Sequence, residues 1–149
     1  MKFFISLILA ISILIPTTVP AETKMADEVV IEFQDWYGIG LEIKGKIISK
    51  QITVFSHAGG ASMVLYLDSN NRPVIEITAG LYEANTRLPI ISFIDNDTGI
   101  EGLVDRAKLI KGFRKGKFVE IHFTDTSGRS RTETFTLKGF SRAYRWLTK

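Results

Sequence analysis

Short apolar segments separated by turn-forming residues occupy the first two thirds of this 149-residue chain. Each is five to eight residues long, most are rich in β-branched side chains, and Gly, Asn, Asp or Pro residues lie between them, as is typical of β-strands. The predicted strands are Val29–Phe33, Leu41–Ile48, Gln51–Ser56, Ser62–Leu67, Val74–Thr78 and Pro89–Ile94. We expect Gly38 and Gly40 to interrupt the chain between the first two, and Asp68–Pro73 to be a turn. This rhythm predicts antiparallel sheets in a sandwich or a partly closed barrel.

The pattern changes to a helical period after Gly99. Apolar residues recur at helical spacing from Glu101 to Phe113, at Leu103, Ala107, Ile110 and Phe113, which predicts an amphipathic helix. We expect this helix to end near Gly112 or Gly116, because glycine commonly follows the last helical turn.

The last 32 residues predict a hairpin followed by a second helix. Phe118–Asp125 alternates between apolar and polar residues, and a turn at 126–128 leads into a return strand over Ser130–Leu137. Phe140, Ala143, Tyr144 and Leu147 then form an apolar helical stripe. The fold class predicted from the whole pattern is mainly β, an antiparallel β-sandwich-like domain with two short C-terminal helices.

The N-terminus has the organisation of a secretory signal peptide. Lys2 precedes the apolar run Phe3–Ile15, and Val19-Pro20-Ala21 places small residues before a cleavage site. The run is too short to span a bilayer comfortably. We therefore expect residues 1–21 to be a signal peptide and residues 22–149 to form one exported domain in the periplasm or outside the cell, with no membrane-spanning segment after cleavage.

The chain contains no cysteine. This absence rules out disulfide bonds, a thiol nucleophile, a thiolate metal site and a lipid on an N-terminal cysteine. The domain must therefore be stabilised by packing and hydrogen bonds.

Three C-terminal runs resemble the bacterial invasion-associated locus B family of exported proteins. The runs are 109–117 (LIKGFRKGK), 123–128 (FTDTSG) and 136–143 (TLKGFSRA), and their order and spacing fit that family. A shorter likeness is Phe33-Gln34-Asp35-Trp36, which is similar to the family's Phe-x-Asp-Trp opening. The resemblance implies a β-sandwich-like exported protein associated with host-cell invasion or the envelope, and it implies no chemical activity. Family members commonly carry cysteines that this chain lacks, so their disulfide bonds do not transfer.

Charge is distributed unequally along the chain. Residues 22–100 carry 6 Lys or Arg against 11 Asp or Glu, whereas residues 101–149 carry 12 against 5. Basic side chains line both predicted helices and the turn after the first, which suggests a surface for an anionic partner. The predicted anion-binding or partner-binding residues are Lys108, Lys111, Arg114, Lys115, Lys117, Arg142, Arg145 and Lys149.

The partner expected from this surface is an acidic protein, an anionic lipid or a polysaccharide. Nucleic acid is disfavoured as the partner, because the protein is expected to be exported and no aromatic residues are interleaved with the cations on the basic face. The alternative interpretation is that these side chains are only the solvated faces of two helices.

Catalytic and metal-binding motifs are weak. Asp97-Thr98-Gly99 matches the Asp-Thr-Gly of aspartic proteases, but that chemistry needs a second carboxylate, and Asp125-Thr126-Ser127-Gly128 is a poor second copy. His57 precedes a Gly-Gly pair and Ser62 without a nucleophile elbow. His57 and His122 are the only histidines, so we expect no metal and no cofactor.

The function expected from the sequence is that of an exported, non-enzymatic binding protein with a basic C-terminal surface. Two alternatives remain open. One is a structural accessory of an envelope or secretion assembly, which would present a large apolar patch. The other is a hydrolase that uses Asp97.

Overall fold

A computed structural model describes residues 26–96, 100–101 and 106–149. These residues form ten β-strands and two α-helices. In chain order they are β1 (Asp27–Phe33), β2 (Trp36–Ile43), β3 (Lys46–Phe55), β4 (Ala61–Leu67), β5 (Pro73–Ala79), β6 (Tyr82–Glu83), β7 (Ile91–Ile94), β8 (Ile100–Glu101), α1 (Arg106–Lys115), β9 (Phe118–Thr124), β10 (Ser130–Thr136) and α2 (Phe140–Leu147).

The strands form two antiparallel sheets. The first is a six-stranded meander in the order β1-β2-β3-β4-β5-β6, and the second has the order β10-β9-β7-β8. Two isolated bridges, Ser56 with Phe135 and Ala84 with Asp125, connect the sheets at their margins. This arrangement confirms the predicted β-sandwich-like domain with two short C-terminal helices.

The core lies between the inner face of the first sheet, the second sheet and the helices. Side chains of β3, β4 and β5 alternate between the two faces, and Ile52, Met63, Leu65 and Ile77 on the inner face are buried. Trp36 is completely buried, and its indole Nε1 donates a hydrogen bond to the carbonyl oxygen of Thr136 at 3.0 Å. The start of β2 is thereby fixed to the end of β10.

The prediction of one strand over Leu41–Ile48 is wrong. The chain reverses at Lys44 and Gly45, which have φ angles of 52° and 75°, so β2 ends at Ile43 and β3 begins at Lys46. Two positive φ angles suit the tight hairpin turns that match strand twist. A Lys-Gly pair is a weaker turn signal than Asn-Gly. Because apolar residues lie on both sides of it, the sequence was interpreted as one continuous strand.

Gly38 and Gly40 lie inside β2, and the prediction that they interrupt the chain is also wrong. A Cβ atom at Gly38 would lie 2.9 Å from both Phe33 Cε2 and Trp146 Cζ3. These glycines therefore provide space for the Trp146 ring, which the α2 helix places against the inner face of the sheet.

The C-terminal predictions are confirmed in outline. The hairpin strands end within one residue of the predicted bounds, and Phe140, Ala143 and Leu147 of α2 are buried. The first helix differs more, because Glu101 belongs to β8 and the described helix runs from Arg106 to Lys115. Leu103 lies outside the described residues, and Ala107 is exposed rather than part of the buried stripe.

Candidate functional site

A groove with a volume of about 1520 Å³ lies between the start of β5 and the α1 helix. Its walls are the start of β5, the connecting segment 86–90, the exposed side of α1, and Tyr144 of α2. We call it the basic groove, because five of its lining side chains are cationic and one is a carboxylate. The cations are Arg72, Arg87, Arg106, Lys111 and Arg114, and the carboxylate is Glu76.

The carboxylate of Glu76 already has a partner. The hydroxyl group of Tyr66 donates a hydrogen bond to Glu76 Oε1 at 2.6 Å, and this bond raises the pKa of Tyr66 above its usual value. Arg72 is partly engaged in the same way, since its Nε lies 3.1 Å from Asp68 Oδ2. No described carboxylate forms an ion pair with the other four cations of the groove, Arg87, Arg106, Lys111 and Arg114. The groove therefore keeps a strong positive excess.

The two helices hold Arg114 in place on the wall of the groove. Its guanidinium carbon lies 5.5 Å from the centroid of the Tyr144 ring, a cation–π arrangement that leaves the edge of the guanidinium group available for a ligand. The hydroxyl group of Ser141 donates to the main-chain carbonyl of Arg114 at 3.3 Å. Beneath these contacts the Phe140 ring packs on Phe113 and Tyr144, at centroid distances of 5.4 and 5.5 Å.

Apolar residues share the walls with the cations. Pro73, Val74, Pro89 and Ile110 line the groove together with Leu88, whose surface is 43% exposed. A mixture of this kind suits a ligand that combines negative charge with apolar groups, because each type of wall then has a matching contact.

The structure brings together only part of the predicted basic site. The helices α1 and α2 pack against each other, and Lys111 and Arg114 line the groove. The other six predicted residues lie on exposed parts of the helices and their flanks, outside the groove lining. They are Lys108, Lys115, Lys117, Arg142, Arg145 and Lys149.

Sequence reasoning missed Arg72, Arg87 and Arg106. Arg72 stands in the predicted β4–β5 turn and Arg87 in a segment that leads to a short strand, and neither belongs to a basic cluster along the chain. Arg106 begins α1 but was not assigned to the basic face. Only the fold places these three residues together.

The residues considered for catalysis or metal binding do not form such a site where they are described. Asp97 lies outside the described residues. Asp125 is fully buried and hydrogen-bonded within its own turn, and Ser62 Oγ lies 2.7 Å from Thr78 Oγ1 in the sheet. His122 Nε2 lies 2.6 Å from Glu120 Oε1, and within residues 26–96, 100–101 and 106–149 no group of three metal-binding side chains occurs.

A second surface feature is the outer face of the first sheet. The cross-strand registers place a set of apolar and aromatic side chains on it, and Val30 and Phe55 are each 56% exposed. The set comprises Val30, Tyr37, Ile39, Leu41, Phe55, Val64, Tyr66 and Val74. Glu28 and Glu32 share this face, so its β1 side is apolar and acidic. Val74 and Glu76, at the β5 side of the same face, also line the basic groove.

Comparison with known proteins identifies a structural relative. The fold matches the crystal structure of invasion associated protein B from Bartonella henselae with a TM-score of 0.56 and 15% sequence identity, over 80% of this chain and 95% of that one. The similarity shows a shared fold and supports the sequence resemblance at that level. No protein-family model matches the chain, and no curated protein matches its sequence. In the part of the chain that the structure describes, no helix is long and apolar enough to cross a membrane.

Proposed function

We propose that this protein is an exported, non-enzymatic binding protein that captures an anionic ligand in the basic groove. The observation that carries the proposal is the convergence of five cationic side chains from three parts of the chain around one carboxylate, which is itself hydrogen-bonded to Tyr66. Positive charge concentrated in a concave, partly apolar site attracts and holds anions more strongly than the same charge on an open surface.

A charge-reversal comparison tests the groove against the helix faces. The groove variant is Arg87→Glu with Lys111→Glu, and the matched control is Lys117→Glu with Arg142→Glu, which changes the net charge equally but lies outside the groove. Binding to polyglutamate, a sulfated polysaccharide and vesicles containing phosphatidylglycerol is measured by calorimetry or co-sedimentation. All four positions are exposed, so thermal melting should show that both variants remain folded.

We expect the groove variant to lose binding to the anion that the wild type prefers, while the control keeps most of it. Wild-type binding should also weaken as salt rises, because exposed charges are screened over about 10 Å at 0.1 M ionic strength. Equal losses in both variants would mean that net charge alone attracts the anion, and the groove would not be the site.

The biological setting proposed for this binding is the bacterial envelope or host-cell invasion. The support is the shared fold with an invasion associated protein and the signal-peptide organisation of residues 1–21. The signal-peptide pattern predicts that the exported protein begins at Glu22, and N-terminal sequencing of protein recovered outside the cytoplasm checks this. Protein that retains Met1 and stays in the cytoplasm would contradict it.

A second candidate function is that of a structural accessory in an envelope assembly. The outer face of the first sheet favours it, because exposed apolar patches of this kind commonly mark protein contacts. The acidic residues on this face would favour a partner surface that is apolar and basic. If this is the main function, Phe55→Asp should disrupt co-purification of the envelope partner and the groove variant should not.

A further inference from the structure

Within the described part of the chain, one edge of the first sheet has no partner strand where it borders the basic groove, although Ile75 on this edge is only 4% exposed. On that side β5 pairs with β6 only at Thr78 and Ala79, and the pairing ends where the Ala84 amide donates to the Ile77 carbonyl at 2.8 Å. The chain then leaves β5, since the Asn85 amide donates to Thr124 of β9. The first residues of β5, from Pro73 to Glu76, therefore have no neighbouring strand on this side among the described residues, and they line the groove.

The main-chain polar groups on this edge can be assigned from the ladder. In an antiparallel strand, alternate residues direct their main-chain groups to the same side. Because the Ile77 carbonyl faces β6, the N–H and C=O groups of Ile75 and the C=O group of Pro73 face the groove. Among residues 26–96, 100–101 and 106–149, no main-chain hydrogen bond outside the strand ladders involves these three groups, and the ladder with β4 uses the opposite side of β5. Pro73 lacks an N–H group, which suits an edge position.

The charges around the open edge favour an acidic occupant. A strand added to β5 would present alternate side chains to opposite faces, and one set would lie toward α1, near Arg106, Lys111 and Arg114. Carboxylates at these positions can form two parallel hydrogen bonds with each guanidinium group. The other set would lie on the opposite face of the sheet, beside Val74 of β5.

We propose that the basic groove binds an extended acidic peptide segment of a partner protein, which adds a strand to the Pro73–Glu76 edge of β5. This proposal rests on the proposed function and names the ligand class of the same site. Strand addition obtains affinity from main-chain hydrogen bonds and specificity from alternate side chains. A phospholipid headgroup or a polysaccharide would satisfy the cations, but it would not complete the sheet.

The test uses a synthetic peptide of about eight residues that alternates Glu and Val, a length that covers the open edge with flanking residues. Two isomers carry N-methyl groups, one on every Glu amide and the other on every Val amide. The isomers have the same charge and composition, but each loses the hydrogen-bond donors on one edge only. Dissociation constants are measured for the full-length mature protein by calorimetry, and hydrogen exchange of the Ile75 amide is followed in the same complexes.

Strand addition predicts that one isomer binds at least about tenfold more weakly than the other, since the loss of one or two main-chain hydrogen bonds has an effect of that order. It also predicts that the unmethylated peptide slows exchange of the Ile75 amide. Equal affinities of the two isomers would overturn strand addition.

The groove variant separates this proposal from the one on which it rests. If the isomers bind equally but Arg87→Glu with Lys111→Glu abolishes binding, the groove binds anions without adding a strand. If that variant binds the peptide as the wild type does, the groove is not the anion site and the proposed function fails as well.

Discussion

At the scale of single residues, Asp125 illustrates why a sequence motif can be mistaken for a catalytic one. Its carboxylate accepts hydrogen bonds from the hydroxyl and amide groups of Ser127, from the Arg129 amide at 3.0 Å, and from Arg131 Nε at 2.8 Å. These bonds, led by that of the Ser127 hydroxyl, lower the pKa of Asp125 well below its usual value. The Asp-Thr-Ser-Gly run is therefore a turn around a carboxylate that is charged at neutral pH.

The lowered pKa of Asp125 predicts how stability depends on pH. A carboxyl group whose pKa is lower in the folded state stabilises the fold above its unfolded pKa of about 4, and this contribution is lost as pH falls toward the folded pKa. We expect Asp125→Asn to lower the melting temperature at pH 7, and the difference from the wild type to shrink below about pH 4. Thermal melts from pH 2 to 8 measure the difference in melting temperature between the variant and the wild type. The control is Asp27→Asn, at an exposed position. A difference that stays constant with pH would contradict the assignment.

At the scale of elements, α2 shows what local periodicity can predict. Its apolar stripe was visible in the sequence because the residues that face the core repeat at helical spacing, and Phe140, Ala143 and Leu147 are buried as expected. The prediction of a single strand over Leu41–Ile48 was wrong because both strands of the hairpin contribute similar apolar residues. Only the backbone conformation at Lys44 and Gly45 marks the turn between them. The two-residue strands β6 and β8 are too short to have a periodic signal of their own.

The α2 helix is fixed to the core mainly through Phe140. Its ring is completely buried and lies within 5.5 Å, between centroids, of the rings of Trp36, Phe113 and Tyr144. We expect Phe140→Ala to cost about 3 to 5 kcal/mol of unfolding free energy, a large part of the 5 to 15 kcal/mol that stabilises a small domain. Denaturant unfolding measures this loss, with the exposed Arg142→Ala as control, whose effect should be within about 0.5 kcal/mol. A similar small effect for both variants would show that α2 is not part of the folding unit.

At the scale of the whole molecule, the fold class was predictable but the groove was not. The −5 and +7 charges of the two regions, 22–100 and 101–149, pointed to a basic C-terminal surface, and Lys111 and Arg114 are part of it. Arg72 and Arg87 belong to the acidic region, and they reach the groove only because β5 and the segment after β6 lie beside α1. No sequence pattern predicts that these arginines lie beside α1, since their position depends on how the two sheets pack.

The most direct test of the central claim is a map of the residues that respond to an anion. The mature protein, labelled with ¹⁵N, is titrated with polyglutamate, and changes in amide chemical shifts are followed. We predict that the largest changes fall on residues 72–76, 86–90 and 106–114, which line or flank the basic groove. Changes confined to the faces that carry Lys117, Arg142, Arg145 and Lys149, or to the outer face of the first sheet, would contradict the assignment of the groove as the binding site.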